Sequence, residues 1–521
     1  MEYATEPIGT SRARRVIIAA VLLVIAPAAA VAVFLTIYWP FTRQSIIDAL
    51  QEQSARSVEI TNFRRTYFPP GCVAGGVRFL HRVHKDKPPI ITIRQLIIRG
   101  SYFGLLRSPV RINEAQAIGL RVTVPPRRPG EPAAEPIPLN SRSSGKSVVI
   151  DRILANEALI EMRPAEPRDK PFTVSIHQLT LENIADNKRF SFRTALAISK
   201  PPGEITASGF FGPWDEKDPG RTVVRGSYTY SNANLGVFEK LAGTLTSEGQ
   251  FEGALAHLAV SGKAGVPNLH IDDASHTIPL STEFQAIVNA TNGDTFLQPV
   301  EAHEWKTNAT ITGKVAGKEG ETGKTVDFQI NINRGRAEDL FRMFVRAKSP
   351  PISGTVSLRA SARVPPLPQP FLRKLEMQGD FGIAGSEFRN RETQSSIARL
   401  SQSATHQSGR DPQEDPETVL SDLTGHVAVS GGVATFTKIS FGVPGAWAEL
   451  HGTFGLISKK VDFHGKLTTT GSPAAATSGF KSFFLKMMTP FLRKKPAVTV
   501  VPFKITGHYE HLSVGLDFGG K

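Results

Sequence analysis

The chain has 521 residues, room for three or four average domains or one long β unit, and its 45 Gly, 37 Pro and 31 Phe favour strands and turns over long helices. A single cysteine, Cys72, excludes an intrachain disulfide and a cysteine-built zinc cluster, so stability has to come from sheet pairing and burial. The net charge of +14 is scattered and interleaved with acids, without a recognition helix, zinc finger or RNP pattern, which argues against nucleic acid as a partner.

Residues 1–15 carry Arg12, Arg14 and Arg15 and are followed by an uncharged run of 23 residues, Val16 to Tyr38. At about 1.5 Å per residue this run crosses a hydrocarbon core of about 30 Å as a transmembrane helix. The arginines before it and the Tyr38-Trp39 belt after it place residues 1–15 in the cytoplasm and export the rest. A cleaved signal peptide is the competing reading, through the small residues Ala28 to Ala30, but the apolar run continues past them to Tyr38.

Phe41 to Ser54 has the spacing of a short amphipathic helix, and it opens an N-terminal module spanning 41–124. Val58 to Phe63, Val73 to Leu80, Ile90 to Ile98 and Ile112 to Val124 read as strands of a meander. Residues 125–146, rich in Pro, Arg, Ser and Glu, form a linker. A β body over 147–400 follows, with strands at Phe172 to Ile176, Phe192 to Ile198, Val223 to Tyr230, Glu283 to Val288, Val326 to Ile332 and Gly354 to Ala360. Two helical interruptions are expected in it, one through Leu235, Phe238 and Leu241, the other from near Arg336 through Leu340, Phe341 and Phe344. A polar linker, 401–417, leads to a C-terminal β module, 418–521, that turns at Gly431-Gly432 and at Gly442 to Gly445. Within it Phe480 to Leu492 is dense in Phe and Met beside lysines, a pattern that fits either a helix covering the sheet or a membrane contact.

No reaction chemistry emerges. Gly317 to Thr325 resembles a phosphate loop, but five residues rather than four separate Gly317 from Gly323-Lys-Thr, and an alternating strand follows where a helix should open. It reads as a hairpin turn. His81 with His84 and His508 with His511 are spaced three apart, which in one strand puts them on opposite faces, so they read as surface residues. There is no His-Glu-x-x-His and no Gly-x-Ser-x-Gly. We expect no enzyme activity, and assign no catalytic, cofactor-binding or metal residues.

Several ordered segments resemble the AsmA-like family of envelope proteins. They are the anchor and the Phe41 to Leu50 helix, Val58-Glu-Ile-Thr-Asn-Phe63, Tyr67-Phe-Pro-Pro-Gly71 leading to Val77, and Ile97 to Val124 with Leu105-Leu106 and Ile118-Gly-Leu-Arg-Val-Thr-Val-Pro125. Further along come Gly379-Asp-Phe381 with Leu400-Ser401, Leu423-Thr-Gly425, Gly432-Val-Ala-Thr-Phe436, Val501-Pro-Phe-Lys-Ile-Thr-Gly507 and Leu516-Asp-Phe518. The resemblance implies a single-pass inner-membrane protein whose periplasmic part is an elongated, curled antiparallel β-sheet, a β groove with an apolar interior and a few short helices. It also implies that the partner is phospholipid or another envelope lipid, with envelope proteins as further partners, and that the protein supports outer-membrane assembly. A scaffold that binds envelope proteins through its sheet edges without carrying lipid is the alternative. Strand residues of one parity, such as Ile91, Ile93, Val427 and Val429, are the candidates for lining a lipid path.

Overall fold

The computed structural model describes residues 39–54, 56–80, 89–105, 110–124, 148–163, 171–184, 189–213, 215, 218–238, 241–271, 277–318, 323–344, 352–388, 421–443, 446–469, 499–508 and 511–517. Val16 to Tyr38, the two linkers, His81, His84 and the Phe480 to Leu492 stretch lie outside them. The protein is mainly β, with 24 strands and a few short helices among the described residues. None of those helices is long and apolar enough to cross a membrane. The chain divides into two compact units, one of residues 1–123 with 136–158 and the other of 124–135 with 159–521.

In the first unit β1 (Val58–Thr66), β2 (Gly71–Phe79), β3 (Ile91–Gly100) and β4 (Val110–Val124) pair antiparallel in chain order. Alternation aligns Val58 with Phe79, Ile60 with Val77, Val77 with Ile93 and Ile91 with Val122 on one face. That face is closed by the helix Arg43–Ser54, whose Ile46, Ile47 and Leu50 pack into the same core as Val77, Ile91 and Ile93. The helix starts where Thr42 Oγ1 accepts the Ser45 N–H at 3.1 Å, and Arg43 donates to the Ile60 carbonyl at 2.6 Å. Ion pairs Arg111–Asp151 and Arg152–Glu114 tie β4 to β5 (Val148–Met162).

The second unit is a long antiparallel meander. Its strands are β6 (Phe172–Ile184), β7 (Phe190–Ser199), β8 (Pro202–Phe211), β9 (Val223–Asn234), β10 (Leu241–Ala242), β11 (Thr244–Ala254), β12 (His257–Ile271) and β13 (Ile278–Asn289). They continue as β14 (Asp294–Glu304), β15 (Thr307–Gly317), β16 (Lys324–Arg336), β17 (Ile352–Val364), β18 (Glu376–Phe388) and β19 (Ser421–Ser430). The last are β20 (Val433–Val443), β21 (Ala446–Gly455), β22 (Lys460–Thr469), β23 (Thr499–His508) and β24 (His511–Leu516). From β6 to β24 each strand pairs with the next, except that β9 pairs with β11 and the two-residue β10 pairs with the end of β12.

Two expectations change. The helix foreseen at Leu235 to Leu241 is a 3₁₀ turn, Leu235–Val237, capped by Asn234 Oδ1 on the Gly236 N–H at 2.8 Å, after which Leu241 enters a strand. Glycine at 236 and 243 shortens the helical run, and Leu235 and Leu241 instead pack on Val266, Leu269 and Ile278. The second interruption does form a helix, Ala337–Phe344. His508 and His511 do not share one strand but face each other across the β23–β24 hairpin. The phosphate-loop look-alike is a hairpin as expected: Gly317 pairs with Lys324, and Lys324 opens a strand. Gly431 and Gly432 also turn as expected, both with positive φ, between paired Ser430 and Val433.

Candidate functional site

The second unit's chemistry lies in the contrast between its two faces. Along β8, Gly203, Ile205, Ala207, Gly209 and Phe211 are half-buried while Glu204, Thr206, Ser208 and Phe210 are exposed. The registers carry that parity strand to strand: Ala207 faces Tyr228, Tyr228 faces Gly249, Gly249 faces Gly262, and Gly262 faces Phe284. The same side then runs through Leu297, Gly313, Phe328, Ala362, Met377, Val429 and Ala434. One face of the meander is therefore apolar across its length. The rings and aliphatic side chains on it stay half-buried rather than fully buried along most of the strands, as they do where no second layer closes a sheet.

Glycines on this face serve aromatic rings. In each of six cross-strand pairs an aromatic ring lies over a glycine: Tyr228 on Gly249, Phe251 on Gly226, Phe328 on Gly313, Phe381 on Gly425, Phe463 on Gly452 and Phe503 on Gly465. A β-carbon on any of them would stand 2.5–2.9 Å from a ring atom. A ring laid flat covers the bare backbone and makes a smooth apolar surface. The rings also meet one another, Phe192 with Phe251 at 6.4 Å and Phe436 with both Phe381 (6.4 Å) and Phe463 (5.5 Å).

The opposite face is mainly polar, with Phe210, Phe296 and Trp447 as exposed apolar exceptions. Arg225–Glu252 and Lys263–Glu283 pair across it, and the hydrogen bond and charge of Lys263 hold the Glu283 carboxyl below its ordinary value. An open hollow there is lined by Thr229, Glu248, Gln250, Ser261, Lys263 and Glu283. Farther along, His464 is held between Asp517 (2.7 Å) and Asp462 (3.2 Å); its hydrogen bond to Asp517 raises its pKa. Among the described residues no group of three or more His, Cys, Asp or Glu side chains is placed to hold a metal ion.

At one place the apolar face is covered. The helix Ala337–Phe344 lays Ala337 and Leu340 on Ala309, Ile330, Ile332, Val356 and Leu358. Its first turn is tied down by Asp339, which accepts from Thr307 Oγ1 at 2.9 Å and from the Lys306 N–H at 3.2 Å, while Thr307 Oγ1 accepts the Arg336 N–H. Beside it Glu304, at the end of β14, is 7% exposed, and its Oε1 has no hydrogen-bond partner. Burial pushes the Glu304 carboxyl up to about 7; the charge of Asp339 adds to the rise and that of Arg342 opposes it. Arg342 in turn stacks over the Trp305 ring at 5.2 Å.

The four residues singled out from the sequence separate. Ile91 and Ile93 sit in the closed core of the first unit under the helix Arg43–Ser54. Val427 and Val429 lie on the apolar face of the second unit among Met377, Phe381, Ala434 and Phe436. The glycine–aromatic pairs and Glu304 were not anticipated: cross-strand pairing depends on register, and a glutamate at the end of an alternating strand looks solvated until a helix covers it. Comparison with known family models gives no match, and comparison with curated proteins gives none either.

Proposed function

We propose that this protein is a non-enzymatic, AsmA-like envelope protein that shelters the acyl chains of phospholipid, or of another envelope lipid, on the apolar face of its second unit and thereby supports outer-membrane assembly. Val16 to Tyr38 anchors it in the inner membrane with residues 1–15 cytoplasmic and the bulk periplasmic. The observation that carries the reading is the half-buried apolar face that continues from strand to strand with aromatic rings laid over glycines. A face of this extent left to water is costly and marks a binding surface, and acyl chains match it without needing polar partners. Curled about its long axis, the meander makes that face the floor of a groove. Eighteen serially paired strands at about 4.8 Å spacing give a path on the order of 80 Å along the sheet.

Native mass spectrometry with lipid extraction on the full-length chain tests this. Phospholipid should remain bound after detergent exchange. Phe284→Glu, which places a carboxylate on the face, should reduce it about tenfold or more, because an unpaired charge against an acyl chain costs more than the roughly 1.4 kcal/mol that a factor of ten represents. Gln285→Glu, one residue along on the polar face, should leave it unchanged. A folded, lipid-free wild-type protein would refute lipid handling and favour the scaffold.

A further inference from the structure

We infer that the first unit rests on the bilayer through a second contact, an aromatic foot made of the turn 67–70 and the helix Tyr102–Leu105, with Arg64 and Arg65 beside it facing anionic headgroups. The inference rests on the reading of Val16 to Tyr38 as the membrane anchor. Phe68 is 86% and Phe103 82% exposed, the two most exposed large apolar side chains among the described residues. Isolated exposed rings are ordinary, but these two belong to adjoining segments that are pinned together. Tyr102 donates its hydroxyl proton to the Tyr67 carbonyl at 2.7 Å, the Gly100 N–H donates to the Pro70 carbonyl at 2.7 Å, and the Phe68 and Tyr102 rings lie 5.9 Å apart.

Their position relative to the anchor identifies the occupant. Trp39 follows Tyr38 directly, so its Cα lies about 3.8 Å beyond the last residue of the apolar run. Its ring touches Tyr67 at 4.9 Å and Tyr102 at 6.4 Å. The residues that carry Phe68 and Phe103 are thus packed on the point where the chain leaves the membrane, at the depth where aromatic side chains gather. Arg64 and Arg65, both exposed, lie near the end of β1 one residue before the turn and, as consecutive strand residues, flank it on both faces of the sheet, which suits the surface of an anionic leaflet. A lipid interface accepts exposed rings and arginines together, whereas a protein partner would need a complementary surface.

The test uses the full-length chain in vesicles of phosphatidylcholine with a minority of phosphatidylglycerol. Nitroxide labels are placed at Phe68→Cys, Phe103→Cys and, as the reference, Glu59→Cys near the far end of β1. The native Cys72 is 0% exposed and burial pushes its thiol up to about 12, so it does not compete for label. Labels at 68 and 103 should be several-fold more accessible to oxygen than to a water-soluble nickel complex, with the ratio reversed at 59. Alkaline extraction of the same vesicles checks the anchor. A chain retained in the membrane whose labels at 68 and 103 meet the nickel complex freely overturns the foot while leaving the anchor standing. Labels shielded from both quenchers would place protein there and overturn it equally, and a chain extracted at alkaline pH removes the anchor and the foot with it.

Discussion

Gly313→Val is expected to destabilise the protein by about 1–3 kcal/mol in a denaturant titration, the range for an overpacked site. A β-carbon at 313 would stand 2.2 Å from the Asp327 carbonyl oxygen and 2.5 Å from Phe328 Cδ1, one of them backbone, so rotating the ring cannot relieve both contacts. The Phe328 ring sits over Gly313 on the neighbouring strand, and moving it breaks the surface it shares with Ala362 and Met377. Adding Phe328→Ala to Gly313→Val should recover part of the loss, since the two sites are coupled through the ring, while the contact with the carbonyl remains. Gly442→Ala is the control: an added β-carbon there meets nothing within 4 Å, so stability should change by less than about 0.5 kcal/mol. If Gly313→Val were equally harmless, the ring would not depend on the glycine, and the smooth aromatic face would lose its structural basis.

Those glycines also explain where the sequence misleads. Strands rich in Val and Ile at alternate positions, such as β3 and β16, are legible because side-chain periodicity and propensity agree. β8 (PGEITASGFF), β11 (TLTSEGQFEGA) and β14 (DTFLQPVEAHE) are not, because Gly, Pro and charged residues inside them look like turns. Their extended state comes from the ladder on both sides, and the partner of each glycine is known only once the register is. The apolar face was legible as alternation, which is why Val427 and Val429 fall on it. Whether a given alternating strand lies under a helix is a tertiary fact, and Ile91 and Ile93 fall in a closed core because the helix Arg43–Ser54 covers them.

The covered end of the apolar face carries a pH dependence whose sign follows from Glu304. Its carboxyl titrates near 4.5 when unfolded and about 7 in the fold, so the folded protein favours the protonated form. The stability this contributes is fully present below about pH 4.5, declines as pH rises through 7, and is absent above. A shift of this size corresponds to roughly 3–4 kcal/mol, at about 1.4 kcal/mol per unit. Burial is the main cause of the rise; Asp339 on the helix adds to it by repelling a second negative charge, and Arg342 opposes it. Arg336 is engaged by Glu338 at 2.7 Å. Glu304→Gln, neutral at every pH, should match the wild type closely at pH 4.5 and exceed its stability at pH 8 by about 3 kcal/mol. Because the affected helix is held through Asp339 and Thr307, hydrogen exchange of amides in Ala337–Phe344 should quicken between pH 5 and pH 8 beyond the intrinsic rate, and Glu304→Gln should abolish that excess. Loosening there uncovers Ile332, Val356 and Leu358, which enlarges the apolar face at the pH where the carboxylate forms. An exchange profile identical in the two proteins would mean that Glu304 is ionised at no cost to the helix and that the cover is insensitive to pH.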